Sequence, residues 1–421
     1  MRFQSQRLSF SVLALFLSMS MQVNAHQSKR KRLARNPSRP APTVRFVSGN
    51  SSLKIPFESS SNLILLQVRV NDSAPFWFIF DTGADRTVID SQLARVLRLK
   101  PRGKEVNTGS AGTATGLIFK GVSIRLPNVE ALNLKIAALP IEFLSSHLGR
   151  KISGVIGNDI LKELVVEIDY ASQLINLYEP RSYQYSGSGE VTPITLDDNL
   201  PFVRALIALE GRPPIEGKFE LDSGSTSAIS FNTPFVNKYQ LLNFISQTNQ
   251  SRTGGVGGTA QAFSGRVKAI RLGSFELKDL VARFSRASQG DNASAKYDGL
   301  IGGEIFRRFK VVFDYSRRHM ILEPTVQFSE PYEEDMSGLD LAAEGEDFSV
   351  VIVNEVEKGS PAAEAAIQEE DIIEAIDGRP TKELTLTQLR KMFREDGREY
   401  LIGLKRGQKK VQTKLKLRRL I

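Results

Sequence analysis

Two aspartates begin the same short pattern, in which an acid is followed by a hydroxyl residue and a glycine. Asp81 begins Asp-Thr-Gly, and Asp222 begins Asp-Ser-Gly. If the fold brings the two carboxylates together, they share one proton, because like charges so close cannot both ionise comfortably. The ionised carboxylate can then take a proton from water, while the protonated one donates to a carbonyl oxygen. This chemistry adds water to a carbonyl without a covalent intermediate on the protein.

The residues next to each aspartate have types that suit this geometry. Gly83 and Gly224 permit sharp turns, so that backbone N–H groups can point at the carboxylates. Thr82 and Ser223 carry hydroxyls that could bridge the two loops and lock the pair in place. Rigid placement matters because small displacements of reacting groups are costly.

Both motifs belong to an internal repeat. The first copy contains FWFIFDTGADRTVI, SGVIGNDIL and VVEIDYASQLINLYEP, and the second contains EGKFELDSGSTSAI, DGLIGGEIF and VVFDYSRRHMILEP. Three blocks in the same order indicate two copies of one lobe, which we place at residues 51–185 and 186–328. The repeat argues against the alternative that both aspartates are ordinary β-turn residues.

Each copy contains strand-forming runs of Val, Ile and Leu and a glycine-rich segment between its motifs. The glycine-rich segments are TGSAGTATG from residue 108 and TGGVGGTA from residue 253. Glycine permits tight, mobile turns, so both segments predict hairpins that could cover a cleft as flaps. The flap candidates are Gly109, Gly112, Gly254, Gly255 and Gly257.

The two motifs resemble the active-site motifs of the pepsin and retropepsin families of aspartic peptidases. Val-Ile-Gly ending at Gly157 and Leu-Ile-Gly ending at Gly302 resemble the triplets that support the active-site loops there. The first copy is closer to the retroviral type, although both copies lie in one chain, as in pepsin. The resemblance implies a mainly β, bilobal fold of closed-barrel lobes. It also implies catalytic Asp81 and Asp222, an extended peptide or protein substrate, and neither metal nor cofactor. The alternative is a non-catalytic peptide-binding or scaffold protein of the cell envelope with the same fold.

One position differs between the copies, because Ser225 stands where the first copy has Ala84. In pepsin-like relatives a hydroxyl at this position bonds the outer carboxylate oxygen and favours ionisation. The resemblance therefore implies that Asp222 ionises more easily than Asp81. We expect the missing hydroxyl at Ala84 to keep the pH optimum less acidic.

The last block, residues 336–421, has a different character and follows an acidic stretch, residues 330–335, that predicts a solvated linker. GSPAAEAAI and EEDIIEAIDGRP resemble the bacterial PDZ signature, although Ala366 and Glu370 stand where glycines are usual. A candidate carboxylate-binding loop consists of Gly338, Leu339, Asp340 and Leu341. A PDZ-like α+β domain could bind protein C termini through such a loop and a sheet edge. It could thereby recruit substrate or gate the cleft, or it could only pack against the peptidase lobes.

The N-terminus predicts export. Residues 1–25 combine Arg2 and Arg7, an apolar run and a small-residue pattern ending at Ala25, which is typical of a signal peptide. We expect a periplasmic or extracellular protein. Residues 26–50 predict a basic flexible arm, which is either a plain linker or a contact to an anionic envelope surface.

Composition excludes other classes. There is no cysteine, so disulfides and thiolate metal sites are excluded, and three scattered histidines argue against zinc. The formal net charge is +9, but the excess is concentrated in the arm and near the C-terminus. The body is therefore not a uniformly basic nucleic-acid binder.

Overall fold

The computed structural model describes residues 13–16 and 41–421. The predicted signal peptide, apart from residues 13–16, and residues 26–40 of the predicted arm lie outside the described residues. The first described strand, β1 (Leu13–Phe16), runs parallel to Arg252–Gly255 in the second lobe. The predicted fold class is confirmed: the chain is mainly β, with two β lobes and a C-terminal α+β domain. None of the helices among the described residues has the length and apolar character needed to cross a membrane.

Lobe 1 is a sheet that closes on itself. Strands β10, β7, β11, β6, β5 and β9 pair in that order, and β9 returns to β10. The elements are β2 (Thr43–Phe46), β3 (Ser51–Pro56), β4 (Glu58–Ser60), β5 (Leu63–Val70), β6 (Pro75–Phe80), β7 (Val88–Asp90), α1 (Ser91–Val96), β8 (Gly103–Gly109), β9 (Gly112–Leu126), β10 (Val129–Leu139), α2 (Glu142–Leu148), β11 (Gly154–Ile156), α3 (Asn158–Leu161), β12 (Val165–Asp169) and β13 (Leu174–Tyr178).

Lobe 2 repeats this topology. Strands β21, β18, β22, β17, β16 and β20 pair in the matching order, and β20 returns to β21. The elements are β14 (Glu190–Pro193), β15 (Thr195–Asp197), β16 (Leu200–Ala208), β17 (Ile215–Asp222), β18 (Ile229–Phe231), α4 (Thr233–Tyr239), β19 (Thr248–Gly255), β20 (Gly258–Leu272), β21 (Phe275–Ser285), β22 (Gly299–Gly302), α5 (Gly303–Phe306), β23 (Phe309–Asp314) and β24 (His319–Pro324), with 3₁₀ turns at Leu241–Phe244 and Asp291–Ala293.

A third sheet joins the lobes. Its strands pair in the order β14, β24, β23, β12, β13 and β3. Equivalent strands of the two lobes therefore lie at equal distances from the middle of the sheet. The central strands β12 and β23 come from different lobes and pair antiparallel, with Ile168 opposite Val311. Because each lobe contributes equivalent strands around one centre, the two copies of the repeat face each other across it.

Strand alternation directs each aspartate away from the core. On β17, Phe219 and Leu221 are buried in the main hydrophobic core, and on β6, Phe78 and Phe80 are buried in the same core. Successive side chains of a strand point to opposite faces. The residue between each pair, and the aspartate that follows, therefore face away from this core.

The C-terminal domain has its own hydrophobic core. Its strands pair in the order β25, β26, β27, β29 and β30, so β25 lies at an edge of the sheet. The elements are β25 (Leu339–Glu344), β26 (Val350–Val356), α6 (Pro361–Glu364), β27 (Ile372–Ile376), β28 (Arg379–Pro380), α7 (Leu386–Met392), β29 (Glu399–Arg406) and β30 (Lys409–Lys416), with a 3₁₀ turn at Thr381–Glu383. A capping box formed by Thr385 and Gln388 begins α7.

The two positions that lack the glycines usual in the PDZ signature keep a backbone conformation that favours glycine. Ala366 has a φ of 55° and Glu370 a φ of 67°. A left-handed conformation costs a residue with a side chain about 1–2 kcal/mol. The turn therefore retains the geometry of the signature although its glycines are missing.

Two expectations about flexible segments are wrong for the described residues. Residues 43–46 of the predicted arm form β2, which pairs with β10 because Val44 and Phe46 pack against the core of the lobes. The acidic stretch 330–335 is not a free, solvated linker. Its Glu333 pairs with Arg266 at 3.1 Å, and its Glu334 pairs with Arg283 at 2.6 Å, so lobe 2 arginines fix it in place.

Candidate active site

Asp81 and Asp222 meet between the lobes. Both carboxyl groups are fully buried, and each lies against the glycine of the other motif. A Cβ atom added to Gly83 would lie 2.5 Å from Asp222 Cγ, and one added to Gly224 would lie 2.4 Å from Asp81 Cγ. The fold therefore brings the two acids face to face, and at both glycines any larger residue would displace a carboxyl group.

Backbone groups orient each carboxyl group. The N–H of Gly83 donates to Asp81 Oδ1 at 2.7 Å, and the N–H of Gly224 donates to Asp222 Oδ1 at 2.8 Å. The outer oxygens, Asp81 Oδ2 and Asp222 Oδ2, have no hydrogen-bond partner among the described residues. The inner oxygens are therefore fixed by the protein, while the outer oxygens are left for a water or a substrate.

The hydroxyls of Thr82 and Ser223 link the two loops reciprocally. Thr82 Oγ1 donates to the Leu221 carbonyl at 2.7 Å and accepts from the Ser223 N–H at 3.0 Å. Ser223 Oγ donates to the Phe80 carbonyl at 2.9 Å and accepts from the Thr82 N–H at 3.0 Å. All four bonds are buried and cross between lobes, so they fix the separation of the acids.

Gly157 and Gly302 lie directly behind the two loops. A Cβ on Gly157 would approach the Arg86 carbonyl carbon to 2.4 Å, and one on Gly302 would approach the Ser227 carbonyl oxygen to 2.4 Å. The strands that precede these glycines pair in parallel with β6 and β17. Absence of a side chain at both positions lets each loop pack closely on its neighbour.

Burial dominates the electrostatics of the acid pair. Burial raises the pKa of Asp81 well above its usual range, and the neighbouring Asp222 carboxylate raises it further. Burial also raises the pKa of Asp222, to about 7, and the hydrogen-bonding interaction with Asp81, followed by the backbone N–H groups of Gly224 and Ser225, limits that rise. At neutral pH the pair therefore retains one proton, which resides mainly on Asp81.

The expected side-chain bond from Ser225 to Asp222 is not formed. The Ser225 hydroxyl pairs with the Ser227 hydroxyl at 2.9 Å instead. Asp222 has the lower pKa of the two acids, as predicted, but the Ser225 hydroxyl is not the cause. Each acid receives two backbone N–H groups, and the difference comes from the interaction between the two carboxyl groups, which lowers the pKa of Asp222 and raises that of Asp81. The first copy has Arg86 where the second has Ser227, so the two loops differ at two positions.

Both glycine-rich segments form hairpins whose tips meet. Strands β8 and β9 form one hairpin, flap 1, and β19 and β20 form the other, flap 2. A Cβ on Gly109 would lie 2.0 Å from the Val256 carbonyl oxygen, and one on Gly112 would lie 2.7 Å from the Gly257 carbonyl oxygen. Gly254 and Gly255 end β19 just before this tip. The tips can approach this closely because glycines stand at the contact.

Each flap tip also contacts the opposite lobe. Val256 of flap 2 is buried in an apolar cluster of lobe 1 that contains Ile79 and Leu139. The Ser110 carbonyl of flap 1 accepts from the Asn292 N–H of lobe 2 at 3.0 Å. The sequence did not predict a role for Val256 or Asn292. The only local signal for Val256 was that an apolar residue stood between glycines. Each flap tip therefore contacts the other flap and the opposite lobe, so both flaps are closed.

The candidate carboxylate-binding loop lies at the interface with lobe 1. Gly338 has a φ of 73° and packs against Ser360, and Leu339, Asp340 and Leu341 are buried. Helix α2 of lobe 1 lies against both β25 and α7, the two elements that flank the free edge of the sheet. Lobe 1 therefore covers the surface on which a peptide strand would add to β25.

Arg390 of α7 is the main polar link in this interface. It is half-buried and donates to two lobe 1 groups, the His147 carbonyl at 2.7 Å and the Ser61 hydroxyl at 3.3 Å, and within its own domain to the Leu341 carbonyl at 2.8 Å. His147 is buried in α2, and burial lowers its pKa to about 4. The interface thus contains a neutral histidine and a half-buried arginine.

Comparison with known families agrees with this architecture. Residues 66–160 match the aspartyl protease family model, and residues 352–406 match the PDZ domain model. The first match includes the Asp81 motif, flap 1 and Gly157. A search of curated proteins gave no match to this chain. The described residues contain no group of three or more His, Cys, Asp or Glu placed to hold a metal ion. The chain therefore combines a retropepsin-like aspartyl protease fold, built as two lobes in a single chain, with a C-terminal PDZ domain.

Proposed function

We propose that this protein is an aspartic endopeptidase that hydrolyses extended peptide segments with a water activated between Asp81 and Asp222. The observation that carries the proposal is the buried carboxyl pair, each member against the other motif's glycine, which retains one proton at neutral pH. A pair with one proton supplies a base and an acid at the same point.

The chemistry follows from this protonation. Ionised Asp222 takes a proton from water, whose oxygen bonds to the carbonyl carbon, while Asp81 passes its proton to the carbonyl oxygen. The product is a tetrahedral diol. Asp222 then gives its proton to the leaving nitrogen as the C–N bond breaks, and Asp81 takes a proton back from a diol hydroxyl. The starting protonation state is restored, and no bond to the protein forms.

The closed flaps support the same function. Both acids are fully buried and so are shielded from bulk water, which strengthens electrostatic interactions at the site. Entry of a peptide requires the two tips to separate from each other and from the opposite lobes. The hairpins then close over the bound segment and present backbone groups to it.

Isosteric substitution of the two acids tests the proposal. We expect the full-length protein to cleave a diverse peptide mixture between acidic and neutral pH, and Asp81→Asn and Asp222→Asn to abolish cleavage. Asp198→Asn, at an exposed position of lobe 2, is the control and should cleave normally. Mass spectrometry identifies the bonds cut. A wild-type protein that binds peptides but cuts none would instead support the non-catalytic scaffold.

We further propose that the PDZ domain gates the cleft. Its peptide surface is covered by α2, and Phe143 of α2 and Val256 of flap 2 line one cavity of about 400 Å³. A protein C terminus that competes with α2 for β25 would therefore disturb the support of a flap tip. Recruitment of a substrate through the β25 edge would likewise require α2 to be displaced from β25.

Export is a proposal that rests on the predicted signal peptide, residues 1–25. Cleavage after Ala25 would release a chain that begins at His26 in the periplasm or outside the cell, with a basic segment that could contact an anionic envelope surface. N-terminal sequencing of the protein from extracytoplasmic fractions tests this. A cytoplasmic protein that retains residues 1–25 would contradict it.

A further inference from the structure

The surfaces beneath the two flaps differ in chemistry although the lobes repeat one fold. In lobe 1, Leu65 lies opposite Ile79 on the paired strands β5 and β6, and both belong to the apolar cluster that receives Val256. In lobe 2, the equivalent pair on β16 and β17 is Phe202 and Glu220. The repeat therefore replaces an isoleucine with a glutamate two residues before the catalytic aspartate.

Glu220 faces the same side of β17 as Asp222. Its neighbours Phe219 and Leu221 are buried in the main core, so alternation directs Glu220 to the opposite face. The side chain is fully buried, and apart from a weak contact with the Tyr297 hydroxyl neither carboxyl oxygen has a hydrogen-bond partner among the described residues. A buried acid without a cation or a full set of hydrogen bonds is costly.

The surroundings of Glu220 are acidic. Burial, followed by the charges of Asp222, Asp291 and Asp81, raises its pKa well above its usual range, and Tyr297 beside it lowers the pKa by less. The first lobe accommodates Ile79 at the same register, so the fold itself does not require a carboxyl group there. The acid is better explained by something that enters from the cleft.

We propose that Glu220 determines specificity by binding the basic side chain of a substrate lysine or arginine next to the scissile bond, on the lobe 2 side, while the Ile79 surface of lobe 1 receives an apolar side chain. The inference rests on the proposed peptidase activity. An arriving ammonium or guanidinium group pairs with the carboxylate in a charge-assisted bond, and the proton on Glu220 is released to solvent. A site built for a donor rejects an apolar analogue, because that analogue leaves the buried carboxyl group unpaired.

Peptides that differ only at the cleaved bond test the inference. The series places Leu–Leu, Leu–Lys or Lys–Leu across that bond in a sequence that the wild-type protein cuts. We expect one of the two lysine peptides to exceed Leu–Leu in kcat/KM by about tenfold or more. Glu220→Leu should remove or reverse this preference, and the isosteric Glu220→Gln should reduce it.

The readout is the ratio of kcat/KM for lysine and leucine peptides at one pH. Loss of the Glu220 charge also changes the pKa of the acid pair, but this affects both peptides alike and cancels in the ratio. Glu216→Gln, on the exposed part of β17, is the matched control and should keep the wild-type ratio.

The two proposals fail in different ways. If both Glu220 variants cut the peptides with the wild-type ratio, or if the wild type prefers Leu–Leu, the specificity inference is wrong and the peptidase remains. If the wild type cuts no peptide, the proposed function fails and the inference fails with it.

Discussion

Asp81 and Asp222 are identical residues in nearly identical loops, but they do not titrate alike. Burial raises both pKa values, and Asp222, at about 7, is the acid that ionises first. Protonation of Asp222 removes the base, so we expect kcat/KM to fall as the pH drops below about 7. The difference between the acids comes from their interaction with each other, because both receive backbone N–H groups and the Ser225 hydroxyl is bound to Ser227.

Ala84→Ser tests how the first loop sets this pH dependence. Position 84 is fully buried beside Asp81, and the first loop lacks a counterpart of Ser227 that could capture an added hydroxyl. A hydroxyl that donates to the Asp81 carboxylate stabilises its charged form, so the basic limb of the pH–rate profile, where Asp81 loses its proton, should move down by about one pH unit.

Ser225→Ala is the matched control for this measurement. Its hydroxyl bonds Ser227 and not Asp222, so its loss should leave the acid limb in place. A profile that stays unchanged in Ala84→Ser, or that shifts equally in Ser225→Ala, would contradict this account of the acid pair.

At the scale of elements, the flaps depend on contacts that each makes with the other lobe. The tip of flap 2 inserts Val256 into the apolar cluster of lobe 1, whereas flap 1 offers the Ser110 carbonyl to lobe 2. Burial of an apolar side chain stabilises a closed state by its transfer free energy and by its packing. Flap 2 therefore has the stronger apolar attachment.

Val256→Ala should weaken closure of flap 2 and leave the acid pair intact. Truncation of this buried side chain should cost about 1–2 kcal/mol of the closed state, so the tip of flap 2 should be open about fivefold to thirtyfold more often and its amide hydrogens should exchange faster by that factor. Val106→Ala, at an exposed position of flap 1, is the control. Equal exchange rates at the tip of flap 2 in the two variants would show that the Val256 contact does not hold the flap closed.

At the scale of the whole molecule, helix α2 contacts both the PDZ domain and the cavity beside the tip of flap 2. It packs against β25 and α7 of the PDZ domain, and its Phe143 faces the same cavity as the tip of flap 2. Helix α2 therefore provides one route between the PDZ domain and flap 2, beside the direct pair of Arg252 in β19 with Glu355 in β26 at 3.3 Å. A change in one contact of α2 can be transmitted to the other, provided that the helix has two arrangements.

Arg390→Met should release the PDZ domain from lobe 1. The substitution removes the donor to the His147 carbonyl of lobe 1, a hydrogen bond from a charged group whose loss costs about 1.5–3 kcal/mol. We expect faster amide hydrogen exchange in residues 142–149 and binding of C-terminal peptides that the wild type excludes.

Arg379→Met is the control, because Arg379 is an exposed arginine of the same domain whose contacts with Glu383 are local, a pair at 3.9 Å and a hydrogen bond to the carbonyl at 3.3 Å. Unchanged exchange in Arg390→Met, or equal acceleration in both variants, would show that Arg390 does not fasten the PDZ domain to α2.

The sequence by itself determined the duplicated lobe, the two acids with their glycines and hydroxyls, the hairpins and the PDZ domain. These features are local: a repeat, a turn that needs glycine and a strand pattern can each be recognised within a short segment. The pairing of the acids could be predicted because a duplicated lobe implies a centre that both copies face.

Only the tertiary structure decided what the flap tips touch, which group tunes Asp222, what covers the PDZ surface and which way Glu220 faces. Each of these depends on contacts between residues far apart in the chain, such as Val256 with lobe 1 and Arg390 with His147. The local sequence does not predict such contacts, because the residues around a valine or an arginine do not indicate which distant residue it will contact. A glutamate in a strand likewise shows its burial only when the lobes close around it.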